Sequence, residues 1–600
     1  MMPYSISEIK KMNIEQLKEV ASSLRSDIIN TVKNNGGHLA SNLGVVELTI
    51  ALHYVFSSPK DVMLFDVSHQ TYVHKLLTGR QDRFHKLRMY NGISGFSSSD
   101  ESEHDVFEAG HSSTSISLGL GYLEAKTNNP QLFDNIISII GDASIVNGLS
   151  MEALNYLGSK PDQKMIIILN DNEMGISKST GGLAKTFNKI RVKGRFKFLR
   201  KITPTKLKKM MKMMAYKNTP FSGFGLKYLG VIDGHDIKQL IEYLEYAKKS
   251  PNSVVLHIKT KKGKGYSFAE EDKTGIWHST NSFNVETGIQ VNTKSDNLNF
   301  GLRLAKVLSE KVNCGHENIR VITPGMTYGS GLLDFSVNHP SKFIDVGIAE
   351  ENATVMASAM AKGGLIPFVF MYSTFLQRSY DQIIHDAARK NEHVVFCVDR
   401  AGIVDGDGAT HQGIYDVAYL STIPNIKIIA PSSVSELELI ISYVINNPGT
   451  YVIRYPKFSI NEEKYINSEI NRWNIVKESS NKKYIITYGP SVGLFNEKIN
   501  DKSIGLINAS FIKPFDSLLI NKLLQENNKL YFYEEVIKNN SLSSQVIEYA
   551  NELLVNKKID KFYIHSKSLP NTYLEVGSKE ELLNKYDMNI DDFIKKVEED

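Results

Sequence analysis

Residues 139–174, IIGDASIVNGLSMEALNYLGSKPDQKMIIILNDNEM, constrain the fold more than any other stretch of this chain. Two runs rich in isoleucine, one ending at Gly-Asp and the other running into Asn-Asp-Asn, are typical of buried strands in a parallel sheet. Between them, SMEALNYLG has helical spacing and ends in glycine, so the segment predicts a strand, helix, strand unit. Asp142 and Asn172 then follow the carboxyl ends of the two strands, where parallel sheets bind ligands.

The oxygen donors at these two strand ends indicate a metal site. The Asp142 carboxylate, the Asn172 amide and a nearby backbone carbonyl are hard donors that suit Mg²⁺ bound together with substrate phosphates. The segment therefore predicts a site for a magnesium diphosphate. The alternative is that Asp142 caps the following helix and Asn172 makes a turn, and a Gly-Asp pair taken alone favours that alternative.

Strand and helix signals alternate along the whole chain, which favours an α/β protein with mostly parallel sheets. With 600 residues, 42% of them hydrophobic, the chain is long enough for several cores. Polar stretches divide it into three α/β domains at residues 1–295, 296–475 and 476–600. The third block lacks a cluster of catalytic-type residues, so we expect it to be mainly structural.

The location and the partners can also be predicted from the sequence. The N-terminal residues lack an apolar signal core, and no stretch is apolar enough to span a membrane, so we expect a cytoplasmic protein with no membrane contact. Residues 185–217 carry thirteen Lys and Arg and no acidic residue. This run could bind nucleic acid with Phe187, Phe196 and Phe198 as stacking partners. It carries no RNA-binding signature, so we favour a solvated connection near an anionic ligand.

The absence of several sequence motifs argues against the enzyme classes that use them. A group of histidines remains as a candidate functional site. No GxGxxG follows a strand, and the sequence contains no Walker loop and no HExxH helix. Histidines in polar, glycine-flanked contexts occur at His38, His69, His111, His278 and His411. One such histidine would be a structural residue in most proteins. Five of them in loops beside Gly and Ser indicate a functional site.

Long blocks of the sequence carry a family resemblance. They include GGHLASNLGVVELTIALHYVF, DVSHQTYVHKLLTGR, ESEHDVFEAGHSSTSIS, TKKGKGYSFAEED, YSTFLQRSYDQIIHD, DRAGIVDGDGATHQG and LEVGSKEELLNKY. In these blocks the chain resembles the 1-deoxy-D-xylulose-5-phosphate synthase family of transketolase-like thiamine-diphosphate enzymes, almost from end to end. The resemblance implies a transketolase-like fold, a homodimer, and the cofactors thiamine diphosphate and Mg²⁺.

The resemblance also implies a reaction. Pyruvate would lose CO₂ and be joined to D-glyceraldehyde 3-phosphate, which gives 1-deoxy-D-xylulose 5-phosphate. This is the first step of the non-mevalonate pathway to isoprenoid precursors, and it also feeds thiamine and pyridoxal synthesis.

Site residues follow from the matching positions, as implied by the resemblance. Asp142, Asn172 and the carbonyl of Met174 would hold Mg²⁺. Glu350 would hydrogen-bond the pyrimidine ring of the cofactor, and Phe375 would stack on that ring. Other cofactor contacts would be His69, Gly110, His111, Ser112, Ala143, Ser144 and Tyr266. His38, His69, His278 and His411 would line the reaction pocket, and Tyr372, Arg378 and Arg454 would bind the substrate phosphate.

Four positions depart from the usual residues of the family and keep other functions open. Ser68 and Ala143 stand where glycine is usual, and Glu351 and Asn352 follow the glutamate where Gln-His is usual. A paralogue with another donor or acceptor, or a transketolase-type ketol transfer, would fit these changes. A nucleic-acid-binding protein on a decayed enzyme scaffold is a further alternative. The retained Asp142, Asn172, Glu350 and His411 speak against decay.

Overall fold

The computed structural model describes residues 4–172, 181–183, 185–186, 219–291, 299–457 and 470–600. Met174 and nearly all of the basic run 185–217 lie outside the described residues. The chain divides into two compact units, residues 1–291 and 292–600. Within the described ranges, no helix has the length and apolar character needed to cross a membrane.

The first unit is built on a parallel sheet that confirms the strand, helix, strand prediction. Its strands are β1 Val62–Phe65, β2 Ile136–Gly141, β3 Ile166–Asp171, β4 Lys227–Asp233 and β5 Val254–Lys259. All neighbours pair in parallel in the order β1-β2-β3-β5-β4. Gly141 lies opposite Asn170 in this register, so β2 and β3 end side by side.

The second unit contains two further sheets. Its strands are β6 Ile319–Thr323, β7 Phe343–Asp345, β8 Ile366–Tyr372, β9 Val395–Asp399, β10 Ile426–Ile429, β11 Thr450–Arg454, β12 Asn474–Lys477, β13 Lys483–Thr487, β14 Ile504–Asn508, β15 Phe511–Lys513, β16 Lys529–Ile537 and β17 Tyr563–Leu569. They form a sheet β15-β10-β11-β9-β8-β6-β7 and a sheet β12-β14-β13-β16-β17, in which only β15 and β12 are antiparallel. The predicted α/β class is therefore confirmed, whereas the domain limits at 295 and 475 stay predictions.

Helices connect most of these strands. In the first unit they are α1 Ile6–Ile9, α2 Ile14–Asn35, α3 Leu39–Leu43, α4 Val46–Val55, α5 Tyr72–Leu77, α6 Ser115–Asn128, α7 Gly148–Gly158, α8 Ile237–Lys249 and α9 Ser267–Glu270. In the second unit they are α10 Phe300–Asn313, α11 Leu333–Asn338, α12 Glu350–Lys362, α13 Ser373–Leu376, α14 Tyr380–Gln382, α15 Asp416–Leu420, α16 Val434–Asn446, α17 Ser491–Lys498, α18 Ser517–Gln525, α19 Leu542–Val555, α20 Lys579–Lys585 and α21 Ile590–Glu599.

A buried cluster of charged side chains fixes the loop that leads into α6. Asp105 accepts hydrogen bonds from Nη1 and Nη2 of Arg80 at 2.7 and 2.8 Å, and Nε2 of His74 lies 3.0 Å from its Oδ1. Lys75 donates to Glu101 of the same loop at 2.6 Å. Burial alone would raise the pKa of Asp105, but the hydrogen bonds from His74 and Arg80 outweigh burial and hold that pKa well below its ordinary value.

Replacing Asp105 by Asn should destabilise the first unit, because the buried Arg80 would lose the carboxylate to which it donates two hydrogen bonds. We expect the free energy of unfolding to fall by about 3 kcal/mol at neutral pH. The pKa of Asp105 is lowered in the folded state, so its stabilising effect is complete above about pH 4 and is lost progressively as the pH falls from there towards the lowered pKa. The difference between the two proteins should therefore narrow below about pH 4. The free energy of unfolding of both proteins is measured by urea unfolding at several pH values, with hydrogen exchange as the detection method. Glu103→Gln, an exposed neighbour, is the control, and an equal loss in both variants would contradict the assignment.

Candidate functional site

Asp142 lies directly after β2, at the carboxyl edge of the first sheet. It is buried, and its backbone N–H donates to the carbonyl of Asn170 at 3.1 Å. The helix that follows, α7, is capped by Asn147, whose side chain accepts the N–H of Leu149 at 3.0 Å. The alternative role of Asp142 as the cap of that helix is therefore excluded.

Asn172 follows the end of β3 at the same edge and is half-buried. The residue before it, Asp171, is fixed by a 2.6 Å contact between its Oδ2 and Nε2 of His257. Two neighbouring strands thus place a carboxylate and an amide at adjacent ends, and this donor set fits a hard cation that carries a diphosphate. The third expected ligand, the carbonyl of Met174, lies outside the described residues.

A tight turn before α6 carries the next group of expected cofactor contacts. Asp66, buried at the end of β1, accepts the N–H of Ser113 at 2.8 Å. Ser113 has a φ of +74° and donates from its hydroxyl to the carbonyl of Ser144 at 3.0 Å. The loops after β1 and β2 are thereby tied to this turn. The turn before α6 and the loop after β2 contain the expected cofactor contacts Gly110, His111, Ser112, Ala143 and Ser144.

The turn that leads to His69 has an unusual backbone. Val67 and Ser68 have φ values of +60° and +65°, in the left-handed region that favours glycine. The buried hydroxyl of Ser68 accepts the N–H of Ser97 at 2.8 Å. Position 68 therefore has a backbone conformation that glycine adopts readily, and the Ser68 side chain adds a hydrogen bond there.

Three of the expected histidines form a cluster in the first unit. The ring centroids of His38 and His69 are 5.4 Å apart, those of His69 and His278 are 5.1 Å apart, and those of His38 and His278 are 5.7 Å apart. Burial lowers the pKa of His278 well below its ordinary value, and the nearby Lys262 lowers it further. A neutral imidazole at neutral pH can accept or donate a proton.

Lys262 is a site residue that the sequence interpretation missed. It follows β5, in the block TKKGKGYSF, and burial lowers its pKa to about 8, although Asp272 and Asp142 oppose that shift. The position of a lysine just beyond a parallel strand was the signal that could have identified it. Tyr266, four residues later, is buried, and its hydroxyl donates to the carbonyl of Val285 at 3.0 Å.

Glu350 is the first residue of α12 in the second unit and is buried. Its Oε2 accepts no hydrogen bond from the part of the chain that the structure describes, and it lies 4.0 Å from Nη1 of Arg378. Burial raises the pKa of Glu350 to about 7, although Arg378 acts in the opposite direction. This carboxyl can therefore change its protonation state near neutral pH. A buried acceptor without a partner fits a cofactor that brings a hydrogen-bonding ring nitrogen.

Aromatic side chains surround the end of β8. Phe375 is half-buried, stacks on Tyr372 with a centroid distance of 5.6 Å, and meets the ring of His411 edge-on at 5.7 Å. The Tyr372 hydroxyl passes so close to Gly329 that a Cβ there would collide with it. Phe375 and His411 are thus brought together, as expected for residues that share a site.

Three arginines lie at the carboxyl edge of the second sheet. Arg378 follows β8, Arg400 follows β9, and Arg454 ends β11, and these three strands are neighbours. The sequence interpretation missed Arg400, although it lies in the block DRAGIVDGDG. Its guanidinium lies 4.0 Å from the centroid of the Tyr372 ring. Three cations at one edge can bind an anionic group such as a phosphate.

Arg454 also has a protein partner. Its Nε and Nη2 donate to the two carboxylate oxygens of Asp416 at 2.9 and 3.1 Å, and both residues are buried. Asp416 was not predicted, because a carboxylate 38 positions away from its arginine gives no local sequence signal.

The sequence matches three family profiles over most of its length. Residues 4–260 match the profile described as 1-deoxy-D-xylulose-5-phosphate synthase. Residues 304–462 match the pyrimidine binding domain of transketolase, and residues 471–592 match the C-terminal domain of transketolase.

Curated relatives named 1-deoxy-D-xylulose-5-phosphate synthase match nearly the full chain. The protein from Clostridium acetobutylicum is 38% identical and covers 99% of this chain and 98% of its own. A protein from Thermus thermophilus is also 38% identical and covers 97% of both chains. The protein from Clostridium kluyveri is 41% identical and covers 92% of this chain and 91% of its own.

Replacing Glu350 by Gln should stabilise the cofactor-free protein at high pH. Because the folded protein raises the pKa of Glu350 from 4.5 to about 7, stability is lost as the pH rises through this window. The variant should exceed the original by up to about 3 kcal/mol at about pH 8 and match it near pH 4. Urea unfolding at both pH values measures the difference. Glu310→Gln, at an exposed position of α10, should show none, and a pH-independent effect of Glu350→Gln would contradict the raised pKa.

Proposed function

Because the chain belongs to the 1-deoxy-D-xylulose-5-phosphate synthase family, we propose that it joins pyruvate, with loss of CO₂, to D-glyceraldehyde 3-phosphate. The product is 1-deoxy-D-xylulose 5-phosphate, which opens the non-mevalonate route to isoprenoid precursors and feeds thiamine and pyridoxal synthesis. Among the structural features, the buried Glu350 carboxyl with its raised pKa carries the proposal. The two transketolase profiles and the three mostly parallel sheets identify the fold as transketolase-like.

The donor sets described above fit thiamine diphosphate, the cofactor of this family. When bound, this group supplies the nucleophilic carbon and the electron sink that loss of CO₂ from pyruvate requires. In the proposal, Asp142 and Asn172, with the carbonyl of Met174, would hold the Mg²⁺ that accompanies the diphosphate. The Glu350 carboxyl would hold a proton for the pyrimidine ring nitrogen, and Phe375 would contact the pyrimidine ring.

The remaining residues of the proposal handle protons and charge. The neutral His278, with His38, His69 and His411, gives or takes protons at the substrate oxygens. Arg378 and Arg454, with Tyr372, bind the phosphate of the aldehyde, and Arg400 adds a third cation at the same edge. The cofactor contacts His69, Gly110, His111, Ser112, Ala143, Ser144 and Tyr266 complete the set.

A homodimer and a cytoplasmic location are also parts of this proposal. Light scattering of the purified protein tests the dimer, and fractionation of the source cells tests the location. The basic run 185–217 has no role in the proposal.

The reaction is tested by supplying the purified protein with thiamine diphosphate, Mg²⁺ and pyruvate, together with a panel of aldehydes, and identifying the products by mass. We expect release of CO₂ and formation of 1-deoxy-D-xylulose 5-phosphate from D-glyceraldehyde 3-phosphate. A product from another aldehyde alone would identify a paralogue. Ketol transfer between sugar phosphates without release of CO₂ from pyruvate would identify a transketolase-type enzyme.

Replacing Asp142 by Ala should remove the dependence of thiamine diphosphate binding on Mg²⁺, because the other expected metal ligands are neutral oxygens. We expect the affinity measured by calorimetry in the presence of Mg²⁺ to fall by roughly tenfold to a hundredfold. Asp162→Ala, at an exposed position beyond α7, should bind as the original does. Unchanged affinity in Asp142→Ala would place the metal site elsewhere.

A further inference from the structure

We propose that Asp416, together with Tyr488 and Glu534 of the C-terminal part of the chain, positions Arg454 so that one edge of its guanidinium group binds the substrate phosphate. This inference rests on the proposed function, which assigns Arg454 to the phosphate. It adds three residues that the resemblance did not assign. It also gives the third sheet a part in substrate binding, where the sequence predicted a mainly structural role.

The contact between Asp416 and Arg454 fixes the direction of the guanidinium group. Asp416 is the first residue of α15, and its two oxygens accept from Nε and Nη2 of Arg454 at 2.9 and 3.1 Å. A pair of parallel hydrogen bonds to a planar fork removes the freedom of the side chain to rotate. An arginine held in this way is preorganised for a ligand, which reduces the entropy lost on binding.

The same contact leaves donors for a second anion. A guanidinium group has five N–H bonds, and Asp416 takes one from Nε and one from Nη2. In the ranges that the structure describes, the other N–H bonds of Arg454 donate to no protein acceptor. The unused donors are both N–H bonds of Nη1 and one of Nη2, and together they form the end of the fork. A phosphate accepts two parallel hydrogen bonds from such an end.

Tyr488 supports the guanidinium group from the third sheet. It follows β13, and its ring centroid lies 5.7 Å from Cζ of Arg454, within the range of a cation–π contact. The Tyr488 hydroxyl donates to Oε2 of Glu534 at 3.1 Å. Glu534 in turn accepts the N–H groups of Leu542 and Ser543, both at 2.9 Å, at the start of α19. Glu534 thus links the Tyr488 ring to strand β16 and to the first residues of helix α19.

The place of this cluster in the fold argues against a purely structural ion pair. Replacing a buried ion pair by apolar residues often leaves the stability of a protein unchanged or raises it. Stability alone therefore does not explain why Asp416 and Arg454 are buried here. Arg454 ends β11 at the edge where Arg378 and Arg400 also lie, and ligands of parallel sheets bind at that edge. Asp416 and Glu535 both raise the pKa of Arg454, and Nζ of Lys579 lies 2.7 Å from Oε2 of Glu535.

The test compares two aldehydes that differ only in the phosphate. In Asp416→Asn, kcat/KM for D-glyceraldehyde 3-phosphate should fall roughly tenfold, mainly through KM, because a weaker fork contact loosens Arg454. The value for unphosphorylated glyceraldehyde should change less than about twofold. Tyr488→Leu should show the same pattern. Tyr488→Phe, which keeps the ring but loses the hydrogen bond to Glu534, should show a smaller loss of the same kind.

Two further variants distinguish a role of Asp416 in positioning Arg454 from a role in stability alone. Asp416→Asn should cause no further loss in an Arg454→Ala background, because the positioned group is then absent. Asp516→Asn is the matched control, since Asp516 is also buried and its Oδ1 lies 3.1 Å from Nη1 of Arg472. It should affect both aldehydes equally, and thermal unfolding of each variant confirms that it is folded.

The outcomes distinguish this inference from the proposed function. Equal losses for both aldehydes in Asp416→Asn, or in Arg454→Ala, overturn the inference while the original protein still makes the expected product. If the original protein makes no such product, the proposed function fails, and calorimetry with inorganic phosphate decides the inference separately. Weaker phosphate binding in Asp416→Asn than in Asp516→Asn then supports it, and equal binding overturns it.

Discussion

The parallel direction of the strands is the constraint on which both sets of functional residues depend. Parallel strands end at the same edge of a sheet, so each strand delivers the next residues of the chain to one place. Asp66, Asp142 and Asn172 reach one edge of the first sheet in this way. In the second sheet Arg400 and Arg454 reach the corresponding edge. Polar groups that are far apart in sequence thereby become neighbours.

Burial raises the pKa of the carboxyl groups of both Asp105 and Glu350, but only at Asp105 do hydrogen bonds outweigh this effect. At Asp105, hydrogen bonds from Arg80 and His74 outweigh the cost of removing a carboxylate from water, and the group stays charged. At Glu350 the guanidinium of Arg378 is 4.0 Å away and the cost of burial dominates, so the pKa of Glu350 rises. The first arrangement stabilises a loop. The second destabilises the folded protein at high pH, but it leaves a carboxyl that can donate a proton near neutral pH. The number of hydrogen bonds to the carboxylate decides between them.

Much of the fold could be predicted from the sequence, because apolar runs and helical spacing are local signals. The unit formed by β2, α7 and β3 was predicted correctly, as was the α/β class of all three sheets. The assigned roles of Glu350 and the histidines came from the resemblance and stay predictions. Lys262 and Arg400 were missed because charge beside a glycine-rich loop is common, and only the folded chain shows which charges turn inward. Asp416 was missed because its partner is distant in sequence.

The strand β15 has a consequence for how the second unit can be divided. It follows β14 of the third sheet directly, yet it pairs antiparallel with β10 and closes the edge of the second sheet. The two sheets are therefore joined by main-chain hydrogen bonds as well as by packing. We expect them to unfold together, because unfolding of either sheet would remove contacts of the other. A fragment that ends before β15 would leave β10 as an open edge strand, which is a template for aggregation. We therefore expect residues 292–600 to fold as one unit, although they contain two sheets.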